Sequence, residues 1–404
     1  MAQTVHVAMI GCGNMARQHL GPWRALARKG VDFEFVGLAD PVRVLAEGFQ
    51  KDIAAWQPSP VPVYADWRQM LTDVRPDAVD ICTPHDQHHT IGIACLQAGV
   101  DVIIEKPLGV SLRAAKALVE TAKAHGRVLG TAEQVRFWVG PRAVAWAAGP
   151  GGLLGSVREV VVHLVGGGGR QEVKGPMPWR LERMVSGGGV MIDVGVHYCD
   201  LLLRTLGPAK RVTAYTKTFQ DAVFADGRRP TVEDAASIMI EMDNGTLVTW
   251  VMATPLPGQP VRTNAYYGTE GAITAEGLYP TAPRFTSADG SSMEPEAFLA
   301  AYLKSLNAEE RERLYPAAVT ADPLHHPSGP HTLGIELEFY AFLEAVRGVR
   351  PLEMDGEAGV GALALAEAIL ESGHLGGVPV NVADVMTGEV DGYQRPIDAA
   401  LGLV

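Results

Sequence analysis

Val5-His6-Val7-Ala8-Met9-Ile10 runs directly into Gly11-Cys12-Gly13-Asn14-Met15-Ala16, and the reading of this stretch decides the fold. An apolar run with buried-strand character ends in two glycines one residue apart. Ala16–Ala27 then carries the periodicity of an amphipathic helix. Gly11 permits a tight turn, Gly13 lets backbone approach a pyrophosphate, and the small Ala16 lets helix and strand pack closely. The helix start at Asn14 and Met15 offers free N–H groups and a partial positive charge to phosphate oxygens. The pattern predicts a dinucleotide-binding β-α unit.

The second strand, Phe33–Ala39, leads into Asp40-Pro41. A carboxylate there accepts hydrogen bonds from the adenine ribose hydroxyls and repels a 2′-phosphate, which favours NAD over NADP. Asp40 also fits a plain turn residue before Pro41, and Arg43 stands close enough to receive a 2′-phosphate. Further strands are expected at Ala78–Cys82, Asp101–Ile104 and Val128–Ala132. Helices are expected at Arg43–Ala55, Gln87–Gln97 and Leu112–His125, the last capped by Ser111 and ended by Gly126. This alternation predicts an α/β Rossmann domain over residues 1–130, its parallel sheet covered on both faces.

Beyond residue 130 the rhythm changes. Val157–Val165 is one long β-rich run that empties into Gly166–Gly169, and a helix is expected over Gly188–Leu206. Strands follow at Val212–Lys217, Ala236–Met242 and Thr246–Met252, with the hairpin signal Asn244-Gly245 between the last two. Residues 131–404 thus read as an α+β domain with a large, mostly antiparallel open sheet. Residues 284–330, rich in Pro, Ser, His and charge, interrupt the pattern without a readable fold. They fit a pocket wall or an oligomer contact. Helices close the chain near Leu333–Arg347 and Glu357–Ser372.

Composition narrows the function. The 404 residues carry a formal charge of −12, which argues against a nucleic-acid surface. No apolar run approaches the roughly 20 residues that span a bilayer, and the strand pattern begins too early to leave room for a signal peptide. Cys12, Cys82, Cys95 and Cys199 form no CxxC pair and read as buried free thiols in a reducing compartment. A cytoplasmic protein is expected.

Two motifs carry chemistry. Glu105-Lys106-Pro107 follows the strand Asp101–Ile104, and ligands of open α/β sheets bind outside the carboxyl ends of strands. A lysine there can hold a substrate hydroxyl and stabilise developing alkoxide charge; alone, it fits equally a surface lysine paired with Glu105. The second motif is Gly187-Gly188-Gly189-Val190-Met191-Ile192-Asp193-Val194-Gly195-Val196-His197. Asp193 and His197 are four residues apart and share one helix face. Gly195 between them removes a side chain and leaves room for a flat ring. An imidazole beside a carboxylate suits general-base work, against the plainer reading of a capping acid and a core histidine.

These motifs, with Thr83-Pro84 and His88, Leu108 after the EKP triplet, Ala132-Glu133 with Arg136-Phe137, and the turn Gly268-Thr269-Glu270-Gly271, resemble the glucose-fructose oxidoreductase/inositol dehydrogenase (Gfo/Idh/MocA) family over most of the chain. The resemblance implies that Lys106, Asp193 and His197 form the catalytic group. It implies cofactor contacts from Gly11, Gly13, Asn14, Met15, Ala16, Asp40, Arg43, Thr83, Pro84, His88, Glu105 and Lys106. It also implies sugar or cyclitol substrates, and dimers or tetramers built through the C-terminal open sheet. His88 is expected to support the cofactor loop, and His85 and His89 to be solvated or capping; no metal site is expected. Residues 166–183 depart from the pattern: Trp179 can stack on a sugar face, while Lys174, Arg180, Arg170 and Arg183 suggest an anionic sugar or a solvated lid edge. Arg136 joins the candidate substrate contacts.

Three functions follow. One is NAD-dependent oxidation or reduction of a secondary hydroxyl on a sugar, cyclitol or derivative. Another is redox-neutral glycoside hydrolysis by transient oxidation, elimination, hydration and re-reduction. The last is a dinucleotide-sensing regulator without catalysis, against which the retained lysine, acid and histidine argue.

Overall fold

The computed structural model describes residues 4–168, 177–220 and 222–404. The chain divides into two compact units: Met1–Gly109 with Ala114–Phe137 and Glu309–Val360, and Val110–Arg113 with Trp138–Ala308 and Gly361–Val404. A single cut near residue 130 therefore does not reproduce the compact units, because Glu309–Val360 returns to the first.

The first unit contains strands β1 (Val5–Ile10), β2 (Phe33–Ala39), β3 (Val63–Tyr64), β4 (Ala78–Ile81), β5 (Asp101–Glu105) and β6 (Leu129–Ala132). They form one parallel sheet in the order β3-β2-β1-β4-β5-β6. Helices α1 (Asn14–Arg28), α2 (Arg43–Ala54), α3 (Trp67–Val74), α4 (His85–Gln97) and α5 (Leu112–His125) alternate with them. Strands β4, β5 and β6 are buried at every residue, as expected when helices cover both faces. The strand order reverses at β1 and β4, so the crevice beyond their carboxyl ends is the place for a ligand. The short pair β3 and α3 had no signal strong enough to be expected. Gly126 ends α5 with φ +60°. The returning helix Gly329–Val346 lays Phe339 flat on Trp23 of α1, ring centroids 4.2 Å apart.

The second unit is built on a nine-stranded sheet of β7 (Val157–Val165), β8 (Ala209–Lys217), β9 (Ala235–Met242), β10 (Leu247–Ala253), β11 (Val261–Gly268), β12 (Gly271–Glu276), β13 (Arg284–Ser287), β14 (Ser292–Met293) and β15 (Val380–Asn381). Its order is β14-β13-β12-β11-β7-β10-β9-β8-β15, antiparallel throughout except where β7 meets β10. The expected hairpin joins β9 and β10 through Asn244-Gly245, with Gly245 at φ +84°. Residues 284–330 do not simply interrupt the sheet: they extend it by β13 and β14, then form helices Pro295–Ser305 and Ala308–Leu314. Strands of four and two residues are too short for their alternation to be read.

One sheet face is packed, by Val160, Val162, Leu164, Ile238, Ile240, Val248 and Trp250. Side chains of the same strands alternate to the other face. There Met239 and Tyr215 are 58% and 59% exposed, and Val161 and Val251 are half-buried.

Candidate active site

The glycine turn lies between β1 and α1. Gly11 has φ +88°, and a Cβ there would lie 2.7 Å from the Cys82 carbonyl oxygen, so no other residue fits between β1 and β4. Gly13, at the start of α1, faces open space and supplies no side-chain cap, so the first-turn N–H groups of Asn14 and Met15 are left for an anion. Ala16 is fully buried on the packed side of α1. Beside the turn, Thr83 Oγ1 is buried without a hydrogen-bond partner. An uncapped helix start, a glycine with empty space before it and an orphaned hydroxyl fit a dinucleotide.

Asp40 is nearly buried at the end of β2. One carboxylate oxygen accepts the Cys12 N–H at 2.8 Å, and the other accepts the Val42 N–H at 2.7 Å. It therefore holds the phosphate turn in shape as well as closing its own turn at Pro41. Arg43 points outward to Glu47 at 2.8 Å, an exposed pair on α2. The Cys12 thiol is pushed up to about 12, chiefly by burial and further by Asp40 and Asp80. None of the four cysteines is in a disulfide.

Pro84 precedes α4, and His88 sits wholly buried within it. Its ring nitrogens lie 2.9 Å from the Pro107 carbonyl oxygen and 3.0 Å from that of Thr83, and burial lowers its pKa. His88 thus spans the loops after β4 and β5, a supporting role. His85 and His89 differ from expectation: both are buried, His85 against the His88 ring and His89 with an unpartnered Nδ1. Their helix lies over the sheet, so its apolar side encloses them. The Lys106–Pro107 bond is cis. Glu105, at the end of β5, meets His19 Nε2 at 2.8 Å. The Arg136 guanidinium donates to the Glu353 carbonyl at 2.6 Å, which fixes it to its own unit.

In the second unit the glycine-rich motif ends in a π-turn, Met191–Gly195, that runs into the helix Val196–Leu206. Such turns widen a helix by one residue and recur at functional sites. Asp193 is half-exposed, and His197 is buried with its ring edge-on to Tyr279 at 5.6 Å. Tyr279 in turn stacks on Tyr198, whose hydroxyl donates to Asn264 at 2.9 Å. Gly195 serves a different purpose from the one expected. A Cβ there would meet Met191 Cε at 2.5 Å and the Trp250 ring at 3.3 Å, so the flat ring it admits belongs to the protein core. Arg180 packs over Trp179 at 4.4 Å and reaches Asp193 at 3.7 Å. Gly169, Arg170 and Lys174 lie outside the described residues.

One residue of this region had no sequence signal. Glu233, buried beside the motif, accepts N–H groups from Gly189 at 2.9 Å and Met191 at 2.9 Å. Burial raises its pKa to about 7 despite those donors.

Residues 5–133 match the model of a family described as an oxidoreductase family with an NAD-binding Rossmann fold, and residues 150–274 match the GFO/IDH/MocA C-terminal domain. The 1,5-anhydro-D-fructose reductase of Ensifer adhaerens is 33% identical over 151 residues, covering 36% of this chain and 42% of that protein. The D-glucoside 3-dehydrogenase of Escherichia coli K12 is 27% identical over 259 residues, covering 60% and 68%. The sequence match thus spans about half the length of such relatives. Among solved structures, a levoglucosan dehydrogenase complexed with NADH superposes with a TM-score of 0.78 at 21% identity, covering 94% of this chain and 99% of that one. An oxidoreductase domain protein from Kribbella flavida gives 0.78 at 21%, covering 95% and 100%. The chain belongs to the Gfo/Idh/MocA oxidoreductase family and carries its NAD-binding Rossmann domain.

Proposed function

We propose that this protein is an NAD-dependent dehydrogenase of a secondary hydroxyl on a neutral sugar or sugar-derived polyol. The carrying observation is the motif of the second unit, where the π-turn presents half-exposed Asp193 and leads into buried His197, held edge-on by Tyr279. Bound NAD+ supplies the hydride acceptor. His197 takes the hydroxyl proton as the carbinol C–H leaves with its electron pair and the carbonyl forms. Lys106 stabilises the developing negative charge on that oxygen, and Asp193 orients substrate and imidazole. Within the first unit, Gly13, Asn14, Met15, Asp40, Thr83 and Pro84 hold the dinucleotide, with His88 bracing their loops.

The substrate is proposed to be neutral because the Arg180 charge is already opposed by Asp193 at 3.7 Å. Trp179 then serves as a stacking surface for a sugar face. Several relatives carry names of sugar dehydrogenases, which supports the class. Exposed Met239 and Tyr215 on the open side of the second unit's sheet support a homo-oligomer.

The test is absorbance at 340 nm with NAD+ and a panel of sugars, polyols and chromogenic glycosides. NADH is expected to accumulate with a free sugar. Aglycone release without NADH accumulation supports the hydrolase reading instead, and NADH binding without any turnover supports a sensor. Lys106→Ala and His197→Ala are each expected to lower kcat at least 10³-fold while NADH still binds. Wild-type activity in either variant refutes the assigned roles.

A further inference from the structure

Beneath the phosphate turn of the first unit lies a charged cluster that the reaction above does not use. His19 is on α1, little more than one turn past Asn14, and is 1% exposed. Its Nδ1 is 3.0 Å from Asp80 Oδ2 and its Nε2 is 2.8 Å from Glu105 Oε1. Asp80 is the penultimate residue of β4 and Glu105 ends β5, and both are buried. Where both carboxyl groups are ionised they only accept, and both ring nitrogens then carry protons. Burial opposes that charge, but Asp80 and Cys82 together outweigh it and hold the His19 pKa well above the ordinary value. Trp23 Nε1 donates to the same Asp80 oxygen at 3.0 Å, and Phe339 covers the imidazole edge-on at 4.9 Å.

The other titratable groups here are Cys82, Glu133 and Glu338. Burial raises the Cys82 thiol and the Glu338 carboxyl above their ordinary values. Glu338 also receives the Glu133 N–H. Asp80 and Glu105 are the two carboxyl groups in hydrogen-bond contact with the imidazole nitrogens. A cation ligated by His19, Asp80 and Cys82, whose donor atoms lie within 4.8 Å of one another, would need a thiolate and an unprotonated Nδ1. That is the opposite protonation state from an imidazolium, so the two readings exclude each other.

We propose that His19 is a permanently charged positioning residue. Its imidazolium ties the helix that cradles the dinucleotide phosphates to Glu105, and so fixes the backbone from which the next residue, Lys106, is presented. Cofactor helix and catalytic lysine are thereby held at one mutual setting by a dry ionic strut. The assignment rests on the dehydrogenase role of Lys106, and the tests separate the two.

In full-length, NADH-bound protein with 15N-histidine, both His19 nitrogens are expected to show imidazolium shifts from pH 6 to pH 8. A neutral tautomer or a zinc-shifted resonance at pH 8 overturns the proposal. Glu105→Gln keeps an acceptor oxygen but removes the charge, and His19→Gln removes the bridge. Each is expected to lower kcat at least 10-fold while the NADH Kd changes less than threefold. Unchanged kcat, or a loss confined to thermal stability, overturns it; if His19→Gln does not fold, Glu105→Gln decides alone. Acetylation of Lys106, followed by mass spectrometry in the NADH complex, reads the lysine's placement without turnover. A rate change of at least threefold in Glu105→Gln is expected, and an unchanged rate overturns the proposal. If the wild type oxidises no sugar, the dehydrogenase reading falls while the spectra and acetylation rates still judge the strut.

Discussion

Replacing Glu233 by Gln gives a test whose sign changes with pH. The carboxylate receives the N–H groups of Gly189 and Met191, yet burial raises its pKa from the ordinary 4.5 to about 7. Below pH 4.5 the group is protonated in the folded and unfolded chain alike, and its titration costs nothing. Between pH 4.5 and 7 the unfolded chain releases the proton and the folded one keeps it, so stability falls as pH rises. Above pH 7 the full cost is present, about 3 kcal/mol at roughly 1.4 kcal/mol per pKa unit. Glutamine does not titrate, but its amide nitrogen cannot accept, so one donor interaction is lost at about 1 kcal/mol. Glu233→Gln is therefore expected to be less stable than wild type by roughly 1 kcal/mol at pH 4, about equal to it near pH 5, and more stable by about 2 kcal/mol at pH 8. Urea unfolding of both proteins from pH 4 to pH 8, followed by tryptophan fluorescence, measures the difference. A gap that does not vary with pH would refute the burial argument, and so would a variant that is weaker throughout.

The two turn glycines should separate folding from binding. Gly13→Ala places its methyl in open space, so thermal stability should stay within 2 °C of wild type while the NADH Kd, read by fluorescence, rises at least 10-fold. Gly11→Ala adds left-handed strain and a 2.7 Å contact with the Cys82 carbonyl, so it should lose both binding and stability, the latter by more than about 1 kcal/mol. Met239→Asp, on the exposed sheet face, should shift the mass measured by light scattering to that of a monomer if that face joins copies; an unchanged oligomer would place the interface elsewhere.

The Rossmann sheet was legible because its signals are local. Val5–Ile10 and Phe33–Ala39 were bounded correctly, since continuous apolar runs stop at Gly11 and Asp40. The edge pair Val63–Tyr64 was not, because two residues have no periodicity. In the second unit Asn244-Gly245 announced its hairpin, whereas β13 and β14 were hidden by their brevity. Gly195 was noticed for the right reason, a missing side chain, and given the wrong neighbour, because Met191 and Trp250 come together only through the π-turn and the sheet. Glu233 was invisible: nothing in residues near 233 shows that Gly189 and Met191 need an acceptor. His19 did leave a trace. It falls on the apolar stripe of α1 with Ala16, Leu20, Trp23 and Leu26, and a histidine on such a stripe asks for buried partners.

The return of Glu309–Val360 to the first unit sets an order on synthesis. Phe339, which roofs His19 and Trp23, follows Glu105 by more than two hundred residues, so the nascent Rossmann sheet must wait for it. Until that helix leaves the ribosome, the imidazolium and its two carboxylates stand in water, where an ion pair is worth little. These buried charges are thus sealed only once Phe339 is made, and the cofactor domain is completed by a segment that follows most of the second unit in the chain.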